Sequence, residues 1–337
     1  MSDPGSAWGR RLAAPIAIAG LLALAWWPQG YWLYQASLLM ASMIALMGMV
    51  LLTGLAGQVS LGQGAFVALG AYIAAAMMQA SLPIPDALGL VVAPIVGFCL
   101  GWMLGYPALR LSGHLLALAT FALAIAVPQL LKLPLLSSWT GGAQGRVLER
   151  SPPPPWVEAL GMSAGQDAWL YLVCLGSTIV VTVLTLRLQR GPLGRAWAAA
   201  RDHPIAAQSL GVRLARVRSL AFALSAACAA LAGVLQAWAS GFVSPDSFPV
   251  FLSISLLVGL VIGGVRSVWG VVIGAVFIHS IPGMAAEWSP DMPWVIYGVL
   301  LIGVVGLMPE GIAPRIELWL GAAIHLCRER FKIRGND

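Results

Sequence analysis

The chain reads as an all-α, polytopic membrane protein, and three observations carry that expectation. Of 337 residues, 59% are hydrophobic and only 9% charged, far below the roughly 25% charged content of a soluble domain. Apolar runs of spanning length recur from Leu12 to Met308, separated by turns rich in glycine, proline and aromatic residues. The net charge of +6 is not spread evenly but gathers in short connections and at the ends, as basic loops do when they stay on the cytoplasmic side of a bilayer. That placement argues against nucleic acid as the partner of the positive charge.

Arg10 and Arg11 lead into the first run, Leu12 to Trp27. Ala23-Leu24-Ala25 looks like a signal-peptide cleavage site, but a second apolar run follows at once and favours an uncleaved first span. Trp26, Trp27, Tyr31, Trp32 and Tyr34 cluster between the two runs, as aromatics do at a membrane interface, so a turn over 28–31 is expected at the outer surface. The second span, about Leu33 to Thr53, runs into Gly54-Leu55-Ala56-Gly57-Gln58-Val59-Ser60-Leu61-Gly62-Gln63-Gly64-Ala65-Phe66. Irregular polar backbone at membrane depth survives only where it is buried in protein or lines a wet cavity. The tract is therefore expected to break its segment. It either borders a translocation path, with Gly57, Gln58, Ser60, Gly62 and Gln63 facing it, or makes a close helix contact through small residues.

Spans follow at about 65–80, 88–106 and 115–131, with Arg110 and His114 in a cytoplasmic turn between the last two. Residues 132–167 form the longest non-hydrophobic interval, and Pro152 to Pro155 favour a semi-rigid course. A structured outer, periplasmic loop is expected there. A span at 169–186 leads into the connection 187–218, a span at 220–239 leaves it, and 241–249 forms an outer turn. Phe251 to Ile278 is apolar but interrupted at Gly263-Gly264-Val265-Arg266-Ser267-Val268-Trp269-Gly270. Two short spans meeting at Arg266 avoid the cost of about 2.5–3.5 kcal/mol or more for a lone arginine at mid-bilayer. The stretch from Leu256 to Phe277 and the tract at 54–66 are glycine-interrupted and lie in opposite halves; such pairs can flag an inverted repeat whose interrupted segments line the substrate path, which adds Gly263 and Gly264 to the candidate path residues.

An outer loop at Glu287 and Asp291, a last span at 294–308 and a basic tail complete the chain. The expectation is about ten transmembrane helices with both termini cytoplasmic, or eight if the glycine-broken segments are re-entrant. Residues 1–11 form the cytoplasmic N-terminus, 12–309 the membrane domain and 310–337 the cytoplasmic tail.

The connection 187–218 holds seven arginines against one acid, Asp202. Leu193 to Arg201 reads as a short helix, Asp202 and His203 sit at a cap, and Pro204 occupies a first-turn position where no amide hydrogen is missed. A second helix, Ile205 to Leu210, stops at Gly211. The resulting knob displays Ile205, Leu210 and Val212 beside arginines, which suits docking onto another protein. The plainer alternative is a basic loop with incidental helicity.

Gly194-Arg195-Ala196 and the run from Ala199 to Val212 resemble the coupling loop of ABC-importer permeases of the branched-chain amino acid (LivM) type. The tract at 54–66 is similar to that family's Gly-Gln-Val-Ser-Leu-Gly-Gln run, and 263–270 to its Gly-Gly-x-x-Ser-x-Trp-Gly element. The resemblance implies a knob formed by Gly194, Arg195, Arg201, Asp202, Pro204, Ala206, Ala207, Gln208, Leu210 and Gly211, seated in a cleft of a cytoplasmic ATPase. It departs at Gln208, where the family usually carries a glutamate. It further implies a second, LivH-like permease subunit, ATPase subunits that bind ATP and magnesium, a periplasmic solute-binding protein, and a place in the bacterial inner membrane. The solutes carried in that family are branched-chain or other amino acids, urea, or small carboxylates.

The remaining chemistry agrees with a transport subunit. All thirteen carboxylates fall in expected loops, turns or tails, which weighs against an ion-coupled secondary transporter. The only lysines are Lys132 and Lys332, so there is no phosphate-binding glycine-lysine loop and ATP hydrolysis belongs to a separate polypeptide. Cys99, Cys174, Cys228 and Cys327 are scattered, as are His114, His203, His279 and His325, and no metal site is expected. His114 and His279 fall near segment ends. No nucleophile has a visible base, so an enzyme is not expected. A passive channel is the other rival, because carbonyl-based selectivity leaves no mark in sequence; a channel would have no use for a docking knob.

Overall fold

A computed structural model of the protein describes residues 30–79, 86–108, 113–148, 153–155, 157, 165–286 and a few residues between 295 and 303. The run at 12–27, the turn at 109–112, Pro152, most of the last span and the basic tail lie outside them. So do the full crossing count and both termini. Among the described residues five helices are long and apolar enough to cross a membrane, or six if one bent pair is a single span.

Helix α1, Gly30–Met49, starts inside the turn expected at 28–31 and continues as a π-helical stretch over Val50–Leu55. The chain then leaves helical geometry over 56–62 and re-enters it as α2, Gln63–Gln79. That is the expected break. Helix α3 covers Gly89–Ala108 and α4 covers Gly113–Leu131 with Pro128 inside it. After α4 the chain bends by 65° into a short piece that ends in α5, Ser137–Thr140.

The described part of the connection 132–167 is structured but not purely helical. Strand β1, Arg146–Val147, pairs antiparallel with β2, Phe242–Val243, so that Arg146 faces Val243 and Val147 faces Phe242. Two residues per strand are too few to leave an alternating pattern in sequence, which is why the all-α expectation misses them. An ion pair between Lys132 and Asp246 fastens the same two connections. The connection ends where α6, Gly165–Arg190, begins, slightly before the expected 167.

Helices α7, Pro192–Asp202, and α8, Pro204–Ser209, follow, and then the long helix α9, Leu214–Ser240. Arg187 and Arg190 therefore belong to the last turns of α6, and Arg216 and Arg218 to the start of α9. The non-spanning part of the arginine-rich connection narrows to 191–213. Helices α10, Val250–Gly263, and α11, Gly270–Ala286, are two short pieces around a break at 264–269. Arg266 is exposed in that break, as expected for two short spans rather than one long one.

Helix α9 packs against α1, α2 and α3, and α1 also meets α6 and α11. Hydrocarbon offers no hydrophobic drive between helices, so close approach through small residues does the work. Gly97, Gly101 and Gly105 of α3 line up four apart against Ala230, Ala226 and Phe222 of α9. Gly70 of α2 sits on the Ala230 carbonyl, and Gly233 of α9 on the Val67 carbonyl. A side chain at Gly70 has backbone, not a flexible tip, in its way. Gly70→Val is expected to destabilise the protein by about 3 kcal/mol through overpacking, read as a fall in thermal unfolding temperature in detergent, whereas Gly176→Ala, with nothing within 4 Å of an added Cβ, leaves it unchanged.

Candidate functional site

The knob is built from its two prolines. Pro192 and Pro204 stand at the first helical positions of α7 and α8, where a missing amide hydrogen costs nothing. His203 occupies the position between the helices but its side chain makes no capping hydrogen bond. Asp202 does not cap either; its carboxylate takes two hydrogen bonds from Arg201, at 2.8 and 3.2 Å. Those bonds hold the Asp202 carboxyl below the usual carboxylate range. Gly211 takes φ +86 and lets the amides of Gly211 and Val212 close onto the carbonyls of Gln208 and Ala207, at 2.9 and 3.0 Å.

The knob is fastened to the bundle at three points. Trp197 is wholly buried and its indole donates to the Val217 carbonyl at 2.7 Å. Gly194 lies beneath the carbonyls of Leu188 and Gln189, where a Cβ has no room. Arg218 donates to the Ala200 carbonyl at 3.2 Å. What α8 leaves outside is apolar: Ile205 is 83% exposed and Leu210 85%. Ala206 and Gln208 are exposed beside them, while Ala207 is buried.

Arg201 joins the knob to the first broken tract. It donates to the Gly54 carbonyl at 2.7 Å, inside the π-helical end of α1. Its stem packs on Gly57, which takes φ +68. Gly54 in turn lies flat against the Val265 carbonyl in the α10–α11 break. The two glycine-interrupted tracts thus meet at the arginine-rich end, with Arg201 on one side and Gln189 on the other, the latter donating to the Arg266 carbonyl at 3.5 Å. Gly263 is buried against Gly270 within the α10–α11 pair, and Gly264 takes φ +113.

The non-helical stretch 56–62 is held by hydroxyls from other helices. Thr120 of α4 accepts from the Leu61 amide at 3.0 Å, and Ser253 of α10 accepts from the Gly64 amide at 2.8 Å. Gln63 donates from its side-chain amide to the Ser225 hydroxyl of α9 at 2.7 Å. Ser60 accepts from the Gly62 amide at 3.2 Å, and Thr53 donates to the Gln58 carbonyl at 3.1 Å. Gln58, Ser60 and Gln63 are all buried, and Gly57 is exposed. Neighbouring helices thus lend hydroxyls to the Leu61 amide in the unwound stretch, to the Gly64 amide in the first turn of α2 and to the Gln63 side chain.

Thr120, Ser225 and Ser253 were not singled out by sequence reasoning. The signal was a hydroxyl or two inside each of three apolar runs, which is unspecific. His279 differs from expectation too. It lies inside α11, not at a segment end, and bonds the Ser42 hydroxyl of α1 at 3.0 Å. Among the described residues no group of histidine, cysteine or acidic side chains is arranged to hold a metal ion.

Apolar helices packed through glycine, an unwound polar tract inside them and a two-helix knob at one end define a multi-pass helical membrane protein. Residues 31–305 match the family described as branched-chain amino acid transport system / permease component, and the chain belongs to that family. It is 30% identical over 259 residues to the high-affinity branched-chain amino acid transport system permease protein LivM of Escherichia coli (strain K12), covering 69% of this chain and 60% of that protein. It is 27% identical over 255 residues to LivH of the same strain, covering 73% of this chain and 81% of that one. The autoinducer 2 import system permease protein LsrC of Salmonella paratyphi B is 27% identical over 238 residues, covering 67% of this chain and 62% of the relative. The chain thus spans little more than half the length of the LivM relatives it matches. No solved structure matches.

Proposed function

We propose that this chain is a permease subunit of an ATP-driven importer, moving a solute delivered by a periplasmic binding protein across a bacterial inner membrane. The observation that carries the reading is the Arg201 link between an exposed apolar knob and the unwound end of α1. A motor on the knob would pull directly on the tract beside the candidate path. The partners proposed are a LivH-like second permease subunit and cytoplasmic ATPase subunits, which bind ATP and magnesium. The solute proposed is a branched-chain or related amino acid, which the family description and the LivM relative support. Urea or a small carboxylate is the alternative, and the LsrC relative, named for autoinducer 2, widens the range.

The test is purification in mild detergent, identification of the subunits that come with the chain, and reconstitution into vesicles. Uptake of leucine, isoleucine or valine that needs both ATP and the binding protein is the expected result. Uptake by the isolated chain without nucleotide overturns the proposal.

A further inference from the structure

Helix α6 carries a feature that the import reading does not use. A cavity of about 360 Å³ opens at its arginine-rich end, lined by Val183, Leu186, Arg187, Arg190 and Gly191. Gly176, Val180, Val183, Arg187 and Arg190 are spaced four, three, four and three residues apart, which puts them on one face of the helix. That face is uncovered along its length. Val180 is 66% exposed, Val183 44%, and both arginines are exposed. The face changes from small and apolar to doubly basic over the last two turns. Among the described residues no carboxylate pairs with either arginine, since the ion pairs there are Lys132 with Asp246 and Arg201 with Asp202.

We propose that this groove is a binding site for an anionic phospholipid, with the headgroup phosphate on Arg187 and Arg190 and an acyl chain along Val183 and Val180. Two guanidinium groups beside a cavity are opposite in sign to a phosphodiester and present paired N–H donors to its oxygens. A basic pocket at the end of a membrane-spanning helix is where such headgroups are held. A free phosphate or a nucleotide would use the arginines and leave the valine face bare; a lipid uses both halves at once. Gly191 ends the helix without a side chain, and so leaves the mouth of the groove open to the headgroup. The proposal rests on α6 spanning the membrane, not on ATP-driven import, and its test contains neither nucleotide nor solute.

The full chain in detergent is mixed with equal amounts of phosphatidylglycerol and phosphatidylcholine, and retained lipid is counted by native mass spectrometry. The wild-type chain is expected to keep phosphatidylglycerol in preference. Arg187→Gln with Arg190→Gln is expected to lower that retention roughly 30-fold, equivalent to about 1 kcal/mol for each basic residue at an anionic surface. Val183→Trp, which fills the groove and keeps both charges, is expected to lower it as well. All three substituted positions are exposed, so folding is spared. Equal retention of the two lipids by the wild-type chain overturns the proposal, as does unchanged phosphatidylglycerol retention by the double variant. Displacement of the lipid by inorganic phosphate, or full retention by Val183→Trp, would show a site for phosphate alone and also overturn it.

Discussion

Arg201→Ala is expected to lower the solute moved per ATP hydrolysed by about tenfold, because a charge-assisted hydrogen bond of roughly 1.5–3 kcal/mol is lost. The prediction applies to the proposed importer complex in vesicles and is read as labelled solute taken up against phosphate released. Arg201 spends its planar fork on two jobs: the Gly54 carbonyl at 2.7 Å and the Asp202 carboxylate at 2.8 Å. Among the described residues no other charged side chain ties the knob to the π-helical end of α1. Without that tie the knob remains folded, since Trp197 and Gly194 still anchor it. The motor would then move the knob without moving the tract. Arg201→Lys keeps the charge but cannot hold both partners in the same plane, and an intermediate ratio is expected. Loss of the ATPase subunits from the complex would mark a merely structural role for Arg201. An unchanged ratio would mean that the contact transmits nothing.

Gly57 adds an independent handle on the same contact. Its φ of +68 is a conformation that glycine adopts freely, and its missing side chain is what admits the Arg201 stem. The sequence made the glycines of 54–66 conspicuous, but not which of them served geometry and which served packing. Gly54 serves contact with the Val265 carbonyl, Gly57 serves the turn and the arginine, and Gly62 fits against Thr120. Only the three-dimensional arrangement separates these jobs, since each reads as the same letter in an apolar run.

What could be read in advance was whatever is encoded locally. The knob's helix, proline corner, helix and glycine stop follow from residues within a few positions of each other, and α7, α8 and Gly211 fall where those residues put them. The break at Arg266 was legible because a charge at mid-bilayer is expensive. What could not be read was which partner each side chain takes. Asp202 looked like a cap because local rules favour aspartate there, yet Arg201 next to it offers a stronger partner than a backbone amide. His279 looked close to a segment end because the apolar run closes at Ile278, and its bond to Ser42 joins positions 237 apart in sequence. The hydroxyls of Thr120, Ser225 and Ser253 were hidden for the same reason.

Ile205→Asp together with Leu210→Asp is expected to weaken retention of the proposed ATPase subunits by roughly a hundredfold or more, since buried interface anchors each contribute about 2 kcal/mol or more. Both side chains are more than four-fifths exposed on the isolated chain, at 83% and 85%, so replacing them costs the knob itself little. That separates them from Ala207, which is 2% exposed: an aspartate there would bury a charge inside the knob and disrupt it, whatever docks outside. Gln208, exposed between the two apolar residues, supplies no charge to the surface, so binding there would lean on Ile205 and Leu210 rather than on an ion pair. The measurement is the amount of ATPase that co-purifies with the chain, alongside the unfolding temperature of the chain alone. Loss of the ATPase at an unchanged unfolding temperature is the expected pair of results. Full retention of the ATPase by the double aspartate variant would place the docking surface elsewhere and remove the knob from the mechanism.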